Sequence, residues 1–201
     1  MKPKASMKYT EYKYLILSDL YRITGNTRFL ALIRNILLGE SYQYIFWMRT
    51  CRYTRENAVL RISIHPIALL MLRKYKYKFG ISIYSREIGG GFYIGHFGCV
   101  FAHSDSRIGK NCNLSHGVTL GYANRGRNKG APTIGDNCYI GPGAKIIGAI
   151  KIGNNVAIGA NCVVTKDVPD NAVVVGVPGK VISHDGSTGY VNRTDYEDKI
   201  R

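Results

Sequence analysis

From residue 88 onward an aliphatic residue, often followed by glycine, returns at every sixth position. The series runs Ile88-Gly89, Ile94-Gly95, Val100, then Ile108-Gly109, Leu114 and Leu120-Gly121. After an interruption it resumes at Ile134-Gly135, Ile140-Gly141, Ile146, Ile152-Gly153, Ile158-Gly159 and Val164. A second small or aliphatic residue sits four places later in each hexad, at Gly98, Cys112, Val118, Cys138, Ala144, Ile150, Val156 and Cys162. Both sets should point inward.

A six-residue period of this kind describes a parallel β-helix, in which short strands stack coil on coil and each coil covers the apolar surface of its neighbour. Glycines allow the tight corners between strands. Three hexads close one triangular coil, so residues about 18 apart should lie above one another at the ~4.8 Å strand spacing. Cys112, Cys138 and Cys162 share one phase of the hexad, where other hexads place Ala or Val, and read as small buried apolar residues. Cys51 and Cys99 lack a CxxC partner, and five cysteines in all suit a reducing compartment.

Two breaks interrupt the period. Two extra residues lie between Val100 and Ile108, and eight lie between Leu120 and Ile134, where the segment from Tyr122 to Gly130 carries Arg125, Arg127 and Lys129. A regular solenoid that bulges at one place usually does so for binding. The basic loop reads as a cover over an anionic ligand, with a tolerated insertion as the plain alternative. Counting coils places Leu114 over Ile94, so His96 and His116 should occupy equivalent positions on neighbouring coils. His103 falls in the two-residue insertion between them. The three histidines mark one edge of the helix as the expected site.

The N-terminal part is different in kind. Residues 1–87 hold 16 Lys+Arg against 5 Asp+Glu, most of the chain's net +15, together with most of its tyrosines. Phe29, Leu32, Ile33, Ile36 and Leu37 recur at helical spacing, with Thr27 placed to cap the helix and Gly39 to end it. Helical patterns also run through Leu17, Leu20 and Tyr21, through Tyr44, Trp47, Met48 and Cys51, and from Val59 to Leu72, where Pro66 is a kink point. Such stripes pack in a core or against another subunit, or lie on a membrane surface. No nucleic-acid motif accompanies the charge. No apolar run approaches the ~20 residues of a membrane span, and the basic N-terminus lacks a secretory signal pattern, so a cytoplasmic location is expected.

The expected organisation is therefore a helical, basic and aromatic region over 1–80, a β-helix over 81–183 with its loop at 122–132, and a tail over 184–201 that reads as loosely ordered.

The stretches GFYIGHFG from Gly91, SHGVTLG from Ser115, IGPGAKIIG from Ile140, VVTKDVP from Val163 and GVPGKVI from Gly176 resemble the left-handed β-helix acyltransferases. They are most similar to the branch holding serine acetyltransferases and the colanic acid and capsular O-acetyltransferases. The left-handed sense is implied by this resemblance alone. It further implies homotrimers, acetyl-CoA in the groove between adjacent β-helices, no metal, and a general-base histidine that His96 matches. An imidazole, which titrates near ~6.5 when unperturbed, suits proton removal from an attacking alcohol. Gly141, Ala144 and Ala160 match the track of the pantetheine arm, and Lys166 is similarly placed for a CoA phosphate.

The departures from that branch shape the acceptor expectation. The Arg-His pair that holds an amino-acid acceptor is here Gly130-Ala131, and the Asp before the catalytic His is Gly95. An orienting Asp falls near Ser82, leaving His116, Glu87 and Asp105 as candidates to orient His96. Loss of those paired contacts points to another hydroxyl, and a saccharide hydroxyl is the expected acceptor, with His103, Arg125 and Arg127 as acceptor-binding candidates and residues 1–80 as a peripheral membrane contact. The rival readings are a serine acetyltransferase of cysteine synthesis, a β-helix carbonic anhydrase, disfavoured by histidine intervals of seven and thirteen, and a non-catalytic scaffold.

Overall fold

A computed structural model describes residues 6–85 and 87–200. Five helices come first: α1 (Tyr9–Thr24), α2 (Phe29–Leu38), α3 (Glu40–Glu56), α4 (Ala58–Ser63) and α5 (His65–Phe79). Short strands follow, two to four residues each, in three sheets. Sheet A stacks Ile81–Ile83, Val100–Ala102, Thr119–Gly121, Lys145–Ile147 and Val163–Val164. Sheet B stacks Glu87–Ile88, Arg107–Ile108, Thr133–Ile134 and Lys151–Ile152. Sheet C stacks Tyr93–Ile94, Asn113–Leu114, Tyr139–Ile140, Ala157–Ile158 and Val173–Val175, closed by the antiparallel Lys180–Ser183. This is a parallel β-solenoid of about five turns behind a helical segment.

The register follows the hexad arithmetic. Ile94 pairs with Leu114, Leu114 with Ile140, Ile140 with Ile158 and Ile158 with Val174. The step is 18 residues from Ile140 to Ile158 and lengthens by the two inserted residues on the first coil and the eight on the second. Each pair puts the predicted aliphatic inside: Ile94, Leu114, Ile140 and Ile158 are buried, as are Cys112, Cys138, Cys162 and Ala144. All five cysteines are free thiols, and Cys99 alone of them is exposed.

The corner between sheets B and C is built by a feature the hexad reading passed over. Asn111, Asn137, Asn155 and Asn171 each take a left-handed conformation (φ 55 to 59°), which asparagine tolerates better than most residues. Their side chains form a ladder, each amide donating to the next Oδ1 at 2.9, 3.1 and 3.1 Å. At the neighbouring Gly109 a Cβ would lie 2.5 Å from the carbonyl oxygen of Gly135 on the next coil, so that corner admits no side chain.

The helical segment departs from expectation in detail. Residue 28 rather than Thr27 precedes α2, with no side-chain cap, and the expected stripe is only half used. Leu32 and Ile36 pack against the cluster of Ile16, Leu20 and Tyr42, while Phe29, Ile33 and Leu37 are exposed. The Val59–Leu72 pattern is two helices broken at Ile64, because Pro66 fits the first turn of α5, where no N–H is needed. Helix α3 lies between α1 and α5. A buried ion pair ties this layer to the first coil: Arg49 Nε donates to Asp19 Oδ2 at 2.9 Å and its Nη1 to the Ile88 carbonyl at 2.7 Å.

The tail is docked rather than loose. Tyr190 stacks on Tyr139 with centroids 4.5 Å apart, and Tyr196, 1% exposed, donates to Asn111 Oδ1 at 2.6 Å. Ser187 donates to the Asn137 carbonyl, and Tyr21 of α1 donates to Asp195. The run of glycine, serine and threonine suggested disorder, but the aromatic residues beyond it find a ladder of stacked corners to lie on.

Candidate active site

The turn from sheet C to sheet A forms a column through equivalent positions of successive coils. Two residues past Ile94, Leu114, Ile140, Ile158 and Val174 come His96, His116, Pro142, Ala160 and Gly176. His96 and His116 are both exposed, with ring centroids 6.1 Å apart in an edge-on arrangement. The histidines thus head a column whose later members are small. The His96 turn is braced by the end of α5, where Phe79 packs on Phe97 at 5.2 Å.

His103 is elsewhere. It follows the sheet A strand Val100–Ala102, at the turn towards sheet B, and its ring packs on Tyr122 at 4.8 Å. About 10 Å of extended strand separates that turn from the one carrying His96. The expectation that three histidines mark a single edge is therefore corrected to two and one, because the insertion holding His103 belongs to the next corner.

The second corner also collects the basic residues. The 122–132 loop folds back on itself through the pair Ala123 and Gly130 and runs towards later coils, where Asn128 donates to the Thr165 carbonyl at 3.0 Å. Lys166 follows directly, and Arg125, Arg127, Lys129 and Lys166 are all exposed. Of the expected coenzyme residues, Ala160 stands on the histidine column, Gly141 is the buried residue just before the column's Pro142, and Lys166 lies on the opposite edge. The Ala144 side chain points into the core with no exposure, so it lines no external groove.

The candidates for orienting His96 separate likewise. Glu87 lies on sheet B in an ion pair with Arg107 at 3.0 Å, and Asp105 stands beside His103, its N–H donating to Nδ1 at 3.2 Å. His116 alone of the three shares the His96 corner. Within one chain no group of three His, Cys, Asp or Glu side chains converges as metal donors would, among the described residues.

A cavity of about 280 Å³ lies between α3, α5 and the first coil, lined by Arg52, Arg55 and His65 among others. None of the predicted site residues lines it. This cavity and the candidate chemistry therefore lie apart.

The three outer faces differ. Sheet B presents Glu87, Arg107, Thr133 and Lys151 to solvent, and sheet C is covered by α1 and the tail. Sheet A presents Phe101, Thr119, Lys145 and Val163 in register, all half-buried, with Ile147 beside them.

Stacked hexads with a paired-histidine edge define the class of hexapeptide-repeat transferases, and residues 131–166 match the family described as bacterial transferase hexapeptide (six repeats). The chain is 48% identical over 150 residues to a serine acetyltransferase of Mycobacterium tuberculosis, covering 72% of this chain and 58% of that protein. It is 35% identical over 147 residues to that of Bacillus pumilus, covering 72% and 68%. Among solved structures, serine acetyltransferase from Neisseria gonorrhoeae in complex with serine superposes with a TM-score of 0.66 at 28% identity, over 87% of this chain and 70% of that one. The enzyme from Brucella abortus in complex with coenzyme A gives 0.69 at 26%, over 90% and 70%. The chain belongs to the serine acetyltransferase family. It spans between half and two-thirds of the length of most of these curated relatives.

This overturns the saccharide acceptor. The inference rested on Gly130-Ala131 and Gly95 standing where paired acceptor-binding side chains were expected. Relatives at 35–48% identity are named serine acetyltransferases throughout. Three missing side chains do not define an acceptor when other cations line the same loop.

Proposed function

We propose that this chain transfers the acetyl group of acetyl-CoA to the hydroxyl of L-serine, working in the cytoplasm as a homotrimer. The observation that carries the reading is the C-to-A column, in which His96 and His116 lead into the small residues Pro142, Ala160 and Gly176. A slender pantetheine arm fits beside such residues, and its thioester end would then lie at the histidines. His96 accepts the serine hydroxyl proton as the oxygen attacks the thioester carbonyl. The C–O bond forms, the C–S bond breaks, and the proton passes to the departing thiolate. His116, on the adjacent coil, is the positioning residue for His96.

The trimer supplies what one chain lacks. Packing through the outer face of sheet A, where Phe101 and Val163 flank Thr119 and Lys145, sets the His96 edge of one copy against the loop edge of the next, a head-to-tail contact that closes as a ring. The neighbour's Lys166 then faces the coenzyme phosphates. Arg125 and Arg127, with His103 behind them, face the serine carboxylate and take the place of the absent Arg-His pair. Five free cysteines suit a reducing compartment.

The test is thiol release from acetyl-CoA with L-serine as acceptor. The parent protein is expected to turn over, and His96→Ala to lose about 10²- to 10⁴-fold in kcat with its oligomeric size unchanged. Undiminished turnover in His96→Ala would remove the general base from the mechanism.

A further inference from the structure

The helical segment carries a surface that the proposed chemistry leaves unused. Between Glu56 and Glu87 the sequence contains no acidic residue, while α4, α5 and their flanks carry Arg61, Arg73, Lys74, Lys76 and Lys78. None of these five cations forms an ion pair among the described residues. Helix α5 buries Ala68, Tyr75 and Phe79 against the protein, with Met71 and Leu72 half-buried beside them. Its other side presents Ile67, Leu70, Lys74 and Tyr77, all exposed, at spacings of three, four and three residues. Helix α4 extends the same character with Val59 and Ile62, exposed by 74 and 80%.

We infer that the α4–α5 face is a docking surface for an anionic lipid bilayer. Exposed aliphatic side chains on one side of a helix, bordered by lysine, arginine and tyrosine, form the pattern by which helices lie in the headgroup region. Charge decides between this occupant and a second copy of the chain. Two such faces brought together would oppose five cations to five with no acid on either side, whereas a leaflet of anionic lipid neutralises them. No helix among the described residues is long and apolar enough to cross a membrane, so the contact would be peripheral.

The experiment is co-sedimentation of the full chain with vesicles of phosphatidylcholine alone and of phosphatidylcholine with phosphatidylglycerol in equal parts. Binding is expected only to the second, and should weaken as salt is raised. The triple variant Arg73→Gln, Lys74→Gln, Lys78→Gln should bind about a hundredfold more weakly, at roughly fivefold per charge. The pair Ile62→Ser and Leu70→Ser should also release the protein from vesicles while light scattering reports the parent oligomer. A control triple, Lys8→Gln, Lys13→Gln, Lys151→Gln, removes the same charge elsewhere and should bind as the parent does. Equal binding to both vesicles, or no binding, would overturn the inference. So would a control triple as weak as the first, which would mean diffuse attraction to net charge. A change of oligomeric size in the aliphatic pair would reassign the face to contact between copies.

Discussion

Replacing Arg49 with alanine tests whether the helices are held to the solenoid by a buried polar knot. Arg49 is 2% exposed and Asp19 is fully buried. The guanidinium donates to both carboxylate oxygens, at 2.9 and 3.2 Å, and to the carbonyls of Ile88 and Gly89 at 2.7 and 2.6 Å, while Asp19 also accepts from the Phe92 N–H at 2.7 Å. Arg49→Ala strands one buried carboxylate and two carbonyls, a loss of about 3–5 kcal/mol. For a chain of this size that is roughly 6–20 °C in melting temperature, read by circular dichroism at matched protein concentration because the oligomer contributes. Burial pushes the Asp19 carboxyl upward, against the pull of Arg49 and of the Phe92 N–H. Without Arg49 it rises further. A carboxyl raised in the folded state favours folding below its unfolded value of about 3.9 and loses that contribution as pH rises through the folded one. The gap between variant and parent should therefore widen as pH rises above the unfolded value of about 3.9. The double variant Asp19→Leu, Arg49→Met removes both charges and should cost less than Arg49→Ala alone. A single variant melting within about 2 °C of the parent, or a gap that narrows with pH, would refute the reasoning.

The thiols offer a simple count. Burial pushes Cys51 up to about 12 and raises Cys112 and Cys162, and Cys138 is buried, so a disulfide reagent at neutral pH should titrate Cys99 alone in the native protein; a second fast thiol would contradict the packing. Tyr196→Ala empties a buried site between α1 and the asparagine ladder and should cost about 3 kcal/mol by denaturant melting, whereas an unchanged midpoint would mean that the tail is not docked. Phe101→Asp places a charge on the outer face of sheet A and should yield a monomer without serine-dependent thiol release. A full-sized, active Phe101→Asp oligomer would dismiss sheet A as the contact face.

The solenoid was legible because its rule is local and repeats. An inward aliphatic every six residues is a constraint each coil states for itself, and the pairs Ile94 to Leu114 and Ile140 to Ile158 follow from counting. The same count placed His116 over His96. It misplaced His103, since an insertion of two residues carries no mark of which corner it enlarges. The asparagine ladder could have been found, because Asn111, Asn137 and Asn155 each stand three residues after the aliphatics Ile108, Ile134 and Ile152. The acceptor was misread because absence of three familiar side chains was weighed as if no other residue could replace them.

By itself the sequence determined the coil, its inward face and the pairing of His96 with His116, since periodic burial of apolar groups leaves a one-dimensional trace. Only the tertiary structure decided that the histidine column and the basic loop occupy opposite edges of sheet A, that the tail seals sheet C, and that Asp19 meets Arg49. Those are contacts between segments far apart in the chain, set by where each insertion and helix end finds space, and no period records them.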